Sequence, residues 1–166
     1  MIVNIALLTV TDTRTFENDK SGGILVKKIE EAKHNLIDRK ICKDNKDDIV
    51  KILKEWINKG EIDVVITTGG TGLTGRDITP EAVNEIADKH IPGFGEVFRT
   101  LSLKTVGTSA IQSRACAVLA NGKYVFALPG SSGGVTDAWE GILKHQLDIN
   151  HKPCNFVELF PRLKEK

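Results

Sequence analysis

The chain has 166 residues, 40% of them hydrophobic and 27% charged, which is enough for one sizeable core and short for two. Its 23 basic and 22 acidic side chains nearly cancel, which excludes the net positive field of a nucleic-acid or acidic-membrane binder but leaves room for a local basic pocket. No apolar run approaches the roughly 20 residues of a spanning helix, and Cys42, Cys116 and Cys154 are too widely spaced and odd in number for a disulfide frame or zinc site, so reduced thiols in the cytoplasm are expected.

The first run, Ile2 to Val10, is apolar but interrupted by Asn4 and Thr9, with no basic start or small-residue cleavage site; it reads as a core strand, not a leader. A helix is predicted from about Gly22 to Ala32, a strand from Leu36 to Cys42, and a helix from about Lys46 to Lys59. In that helix Ile49, Ile52, Leu53, Trp56 and Ile57 recur at helical spacing, and Gly60 ends the pattern. A strand from Ile62 to Thr67 precedes a helix from Pro80 to Asp88, with Thr79 as its expected N-cap and Pro80 at the first helical position. Pro92-Gly93-Phe94-Gly95-Glu96 reads as a turn before a helix from Glu96 to Leu103. Runs at Ala115 to Leu119 and Tyr124 to Leu128 flank Asn121-Gly122, a hairpin signal that adds an antiparallel element. A last helix from about Gly133 to Leu147 leaves His151 to Lys166 as a proline-bearing tail. The alternation predicts an α/β fold over a single domain, 1–166, with a mostly parallel sheet covered by helices on both faces.

Four loops leave the carboxyl ends of the predicted strands or lie close by: Thr11 to Ser21, Lys43 to Lys46, Thr68 to Thr79 and Pro129 to Gly134. Open α/β sheets bind ligands at such ends. Gly69-Gly70-Thr71-Gly72 offers backbone N–H donors, and Thr68 and Thr71 offer hydroxyls, equipment that suits phosphate. The spacing is neither that of a dinucleotide site nor that of a P-loop, so the glycines alone also fit a tight turn with no ligand. Asp77 shifts the balance: a carboxylate beside a phosphate loop is repelled unless a cation lies between them, and Mg²⁺ is the economical choice. Asp44 is a candidate second carboxylate and otherwise a solvated loop residue, whereas Asp47 and Asp48 suit the dipole of the following helix. Arg76 and Arg114 are candidates for two-point anion contacts or for surface ion pairs. Ser21-Gly22 and Pro129-Gly130-Ser131-Ser132 are further anion-compatible starts of helices, or ordinary caps. His34, His90, His145 and His151 lack metal-ligand spacing, and no serine sits in a nucleophile elbow, so covalent catalysis is not favoured.

Taken together, these loops resemble the MoaB/MogA family of molybdenum-cofactor biosynthesis, related to the plant and gephyrin G domains. The carriers are Leu8-Thr9-Val10-Thr11-Asp12-Thr13-Arg14, Asp19-Lys20-Ser21-Gly22, Thr67-Thr68-Gly69-Gly70-Thr71-Gly72, Arg76-Asp77-Ile78-Thr79-Pro80-Glu81-Ala82, Pro92-Gly93-Phe94-Gly95-Glu96, Ser113-Arg114 and Leu128-Pro129-Gly130-Ser131. Pro153-Cys154-Asn155-Phe156 and Gly93 to Arg99 look like the MoaB branch. The resemblance implies a three-layer α/β/α molybdopterin-binding fold and, in active members, Mg-ATP-dependent transfer of AMP to the terminal phosphate of molybdopterin, releasing pyrophosphate. It implies Asp77 and Asp44 as catalytic, Mg²⁺-holding residues, and nucleotide phosphates at Gly69, Gly70, Thr71 and Gly72. It also implies the molybdopterin phosphate near Ser21, the pterin near Pro129 to Ser132, a hexamer or else a trimer, and a MoeA-type molybdate insertase as downstream partner.

Three positions depart from the family pattern: Lys33 stands where glycine is common, Lys43 where the MogA branch has proline, and Ser132-Gly133-Gly134 replaces a proline-containing continuation. Some MoaB proteins have lost adenylylation and carry altered acidic positions, whereas both aspartates are present here, which favours an active enzyme. The competing readings are a noncatalytic molybdopterin carrier and an assembly module without nucleotide affinity.

Overall fold

A computed structural model describes residues 1–165. In chain order its elements are β1 (Asn4–Val10), α1 (Lys20–Glu31), β2 (Asn35–Cys42), α2 (Lys46–Ile57), β3 (Val64–Thr68), α3 (Thr79–Glu85), β4 (Lys89–His90), α4 (Pro92–Val106), β5 (Cys116–Ala120), β6 (Lys123–Leu128), α5 (Ser132–Ala138) and α6 (Lys144–Gln146). One sheet, ordered β2-β1-β3-β6-β5-β4, carries all six strands; β2, β1, β3 and β6 are parallel, and β5 runs antiparallel to both neighbours. Helices cover both faces, giving the expected three-layer α/β/α architecture with an antiparallel edge.

The central strands are apolar at nearly every position because both faces are covered, and the pleat divides their side chains between two layers. Ile5, Leu7, Val64, Ile66 and Phe126 pack with Leu25 of α1, Phe94 of α4 and Val135 of α5. Ala6, Leu8, Val65 and Val125 meet Leu53 and Trp56 of α2 and Val83 of α3. The β5–β6 hairpin turns at Asn121 and Gly122, with φ of 49° and 72°, the paired positive values that a two-residue type I′ turn requires.

Several boundaries differ from expectation. Pro92 to Glu96 is the first turn of α4, not a preceding turn: Pro92 occupies an initial position where a missing N–H costs nothing, and the helix continues past Leu103 to Val106. The two-residue β4 is unforeseen; the Asp88 N–H reaches the Leu119 carbonyl at 2.7 Å and starts the edge pairing. The last helix widens to a π turn over Trp139–Leu143 before resuming as α6. The tail is docked: Phe156 and Phe160 pack at tilted angles on Tyr124 with centroids 4.6 and 5.6 Å away, and Val157–Arg162 forms a 3₁₀ turn. Lys166 lies outside the described residues. Among those residues no helix is long and apolar enough to cross a membrane.

Candidate functional site

From β1 the chain passes to β2 on one side of the sheet and then returns across β1 to β3 on the other. The loops after β1 and β3 therefore diverge and open a crevice at the carboxyl ends of these strands, the place where open α/β sheets bind ligands. The turn after β3 is clamped from three sides. Gly69 has φ +102°, and a Cβ there would lie 2.2 Å from the Val10 carbonyl oxygen at the end of β1. Gly70 has φ +68°, and a Cβ there would lie 2.4 Å from the Thr79 hydroxyl. Only glycine meets both demands.

Thr79, expected to cap α3, does something else. Ile78 takes the cap position, while the Thr79 hydroxyl donates to the Gly69 carbonyl at 2.8 Å and its N–H to that of Gly70 at 3.0 Å. Thr68 is buried and its hydroxyl donates to the Pro129 carbonyl at 2.8 Å, tying the β3 turn to the loop after β6. The Gly69 N–H adds a second tie, to Leu128 O at 3.0 Å. Thr71 is also buried, and its carbonyl accepts the Arg114 N–H at 2.9 Å.

Three carboxylates face one another across the crevice mouth. Asp77 accepts from both the N–H and the hydroxyl of Thr74, at 2.9 and 2.7 Å. Burial opposes its ionisation, but these hydrogen bonds prevail and hold its carboxyl below the usual range. A Cβ on Gly72 would lie 2.7 Å from its Oδ2. Asp44 follows β2 and approaches the same turn, since a Cβ on Gly70 would lie 3.1 Å from its Oδ1. Its carboxyl is pushed up, first by burial and then by the charge of Asp12, with Asp77 adding a smaller push and Arg76 opposing. Asp12, at the end of β1, accepts the Asp44 N–H at 3.2 Å and is held down chiefly by the hydrogen-bonded guanidinium of Arg76. Arg76 grips Asp12 from Nε and Nη2 at 3.0 and 2.7 Å, and remains exposed. Arg114 is a strut: it donates to Gly72 O at 2.7 Å and Asp77 O at 2.8 Å and forms an ion pair with Glu81.

The opposite end of the crevice is organised by Asp19. Its carboxylate caps α1 by accepting the Gly22 N–H at 3.0 Å, and it also accepts the Thr9 hydroxyl at 2.6 Å and Arg39 Nη2 at 3.0 Å. Burial acts against this charge, but the hydrogen bonds from Thr9, Gly22 and Arg39 hold the Asp19 carboxyl below its ordinary value. Gly22 is obligatory because a Cβ there would lie 2.0 Å from that carboxylate. Ser21 lies inside the first turn and is buried; Arg14 Nη1 donates to its hydroxyl at 3.0 Å and to Gly130 O at 3.1 Å. Ser131 caps α5 by accepting the Gly134 N–H at 3.0 Å, and Ser132 begins that helix. Beside Pro129 and Ser131 runs a groove of about 420 Å³ that reaches Phe98, Ser102 and Asp137.

The structure thus brings Asp44, Asp77, Gly69, Gly70, Gly72 and Arg76 to one mouth, and Ser21, Gly22, Pro129, Gly130 and Ser131 to its other end. Asp12, Arg14 and Asp19 lie within the sequence motifs but are assigned no role by them. The available signal was their place in the loop between β1 and α1, immediately beyond a buried strand.

The donor set suits Mg²⁺. Asp12, Asp44 and Asp77 are hard oxygen donors; burial first and then the charges of Asp12 and Asp77 raise the Asp44 carboxyl, and a divalent cation relieves the repulsion among them. Among the described residues no three His, Cys, Asp or Glu side chains form a ready cage. Mg²⁺ does not need one, because it is commonly held by one or two carboxylates with water and substrate phosphates.

Fold and crevice define an open-sheet α/β protein with a glycine turn and helix starts suited to anions at a topological switch point. Residues 6–149 match the family model described as "Probable molybdopterin binding domain", and the chain belongs to that molybdenum-cofactor-biosynthesis family. It is 45% identical over 161 residues to "Molybdenum cofactor biosynthesis protein B" of Escherichia coli, covering 97% of this chain and 93% of that protein. A crystal structure of a molybdenum cofactor biosynthesis protein B matches with a TM-score of 0.89 and 39% identity, covering 100% of this chain and 98% of the other. The tungsten cofactor synthesizing protein MoaB from Pyrococcus furiosus matches with a TM-score of 0.78 and 36% identity, over 87% of this chain and 92% of that one.

Proposed function

We propose that this chain is a Mg-ATP-dependent molybdopterin adenylyltransferase of cofactor biosynthesis. The observation that carries the reading is the convergence of Asp44 and Asp77 on the glycine turn of residues 69–72, which a purely storing protein does not require. An oxygen of the molybdopterin phosphate attacks the α-phosphorus of ATP in line; the new P–O bond forms as the bond to the β-phosphate oxygen breaks, and pyrophosphate leaves. Asp44 and Asp77 would hold Mg²⁺, which supplies charge neutralisation for the leaving pyrophosphate. The backbone of Gly69 to Gly72 positions nucleotide phosphates, and the Thr68, Thr79 and Arg114 ties keep that turn rigid, so the chain's own contribution is mainly pre-organisation. The groove beside Pro129 and Ser131 has the volume of a small-ligand site and accommodates the pterin.

The pathway role of the relatives supports a MoeA-type insertase as consumer of the adenylylated product. Leu103, Val106 and Ile111 leave apolar surface at the end of α4 and in the turn after it, Ile111 with 78% exposure, which supports self-association; the MoaB-like tail around Pro153 to Phe156 favours a hexamer over a trimer. Incubation with molybdopterin and Mg-ATP, following adenylylated molybdopterin and pyrophosphate, tests the activity. Equimolar formation of both is expected; saturable molybdopterin binding without either product favours a carrier.

A further inference from the structure

The crevice is polarised. At the Asp44 end, three carboxylates, Asp12, Asp44 and Asp77, face Arg76 and the exposed Lys43, while Arg114 beside Asp77 is paired with Glu81, so one negative charge is left over. At the Asp19 end, two guanidiniums, Arg14 and Arg39, face one carboxylate. Glu17 of the same loop and Lys20 at the start of α1, both exposed, are of opposite sign and offset each other. Asp19 is already committed: Arg39 Nη2 lies 3.0 Å from Oδ2, whereas Arg14 Nη1 stays 4.0 Å from Oδ1. Two guanidiniums therefore share a single carboxylate, which leaves one net positive charge at this corner.

Arg14 also controls access to Ser21, the hydroxyl to which the resemblance assigns the acceptor phosphate. Ser21 is 1% exposed, and the Arg14 side chain, 38% exposed, lies against it. An anion arriving at this corner meets the guanidinium first. Arg14 is held through Nη1 by Ser21 and by the Gly130 carbonyl, so it bridges the loop before α1 to the loop after β6. Among the described residues its Nε and Nη2 make no hydrogen bond, and that edge is the fork that matches two oxygens of a phosphate.

We propose that Arg14 is the ligand for the phosphate monoester of the acceptor substrate, placed opposite the carboxylate end so that acceptor and metal-bound nucleotide enter the crevice in one orientation. This rests on the adenylyl-transfer reading for the identity of the acceptor but not for the existence of the anion site. The surplus of carboxylates repels a metal-free phosphate monoester at one end, and the metal of the nucleotide finds carboxylate ligands only there, which disfavours the reversed arrangement.

The test is calorimetric titration of inorganic phosphate and of molybdopterin into the wild type, Arg14→Gln and Arg14→Lys at low ionic strength, with Mg-ATP titrated in parallel. Arg14→Gln is expected to weaken phosphate and molybdopterin about 10-fold, the loss of one charge-assisted contact, with Mg-ATP affinity and melting temperature retained. Arg14→Lys keeps the charge without the fork and should recover part of the loss; it decides alone, by an affinity about 3-fold below wild type, if Arg14→Gln does not fold. Unchanged phosphate and molybdopterin affinity overturns the assignment. So does an equal loss of Mg-ATP affinity with a lowered melting temperature, which marks Arg14 as a mere tie between loops. Arg14-dependent phosphate binding by a wild type that forms no adenylylated product refutes the proposed activity and leaves the anion site standing.

Discussion

At the residue scale, what distinguishes this crevice is how few of its polar atoms are idle. Asp77 is fixed by Thr74 and held below the usual range, whereas Asp44 is raised first by burial and then by Asp12, so the two carboxylates are not equivalent. Asp77→Asn is expected to lower adenylyl transfer about 100-fold or more, the range seen when one pre-organised electrostatic group is lost; a rate within a few-fold of wild type in a turnover assay removes Asp77 from the mechanism. Thr67 offers a contrasting case. Its hydroxyl is buried without a partner among the described residues, so Thr67→Val should raise unfolding stability by about 1 kcal/mol in denaturant melts, and a loss of stability would show that the hydroxyl is satisfied in solution. His34 supplies a pH dependence. Burial and the nearby positive N-terminus depress its pKa, and its Nδ1 accepts the Val3 N–H at 3.3 Å. The folded state favours the neutral ring, so the contribution is fully present above the unfolded pKa of about 6.5 and is lost as pH falls towards the depressed folded value. Melting temperature measured across that interval should fall for the wild type and fall less for His34→Gln.

At the element scale, α1 and the turn after β3 show how much of the chain was legible. Strands β1, β2, β3 and β6 and helix α2 emerge from sequence within a residue or two, since covered parallel strands and a helical apolar stripe leave strong periodic signals. What escaped depends on contacts distant in sequence. The two residues of β4 pair only because β5 lies alongside, and the tail docks through aromatic contacts with Tyr124. Asp19 was overlooked as the α1 cap because Ser21-Gly22 is an equally good local signal, and Thr79 forgoes capping because Gly69 presents a carbonyl across the turn. The glycine turn and both aspartates were readable; their convergence with Asp12 was not, since it depends on the order of strands. The departure at Lys33 has a local meaning. Lys33 sits at φ +60°, and the N–H groups of Lys33 and His34 bond Glu30 O and Ile29 O, a Schellman end that favours glycine. Lys33→Gly should therefore raise unfolding stability by about 0.5–1 kcal/mol, and an unchanged denaturation midpoint would count against strain at this position.

At the scale of the whole molecule, the sheet serves as a bench for two ends of unlike charge. The carboxyl ends of β1 and β3 meet at the switch point, β2 delivers Asp44 from one side, and β6 delivers the Pro129 to Ser132 loop from the other. The helical layers meet the crevice only at the first turns of α1 and α5 and along the groove that reaches Phe98, Ser102 and Asp137, so the two hydrophobic layers act mainly by holding four strand ends in register. The most direct measurement is a crystal structure of the chain with Mg²⁺, molybdopterin and adenosine 5′-(α,β-methylene)triphosphate, which cannot release pyrophosphate. Density for the metal against Asp44 and Asp77, nucleotide phosphates over the turn of residues 69–72 and the acceptor phosphate against Arg14 is the predicted result. Nucleotide bound away from that crevice, or the acceptor phosphate at the carboxylate end, would contradict it.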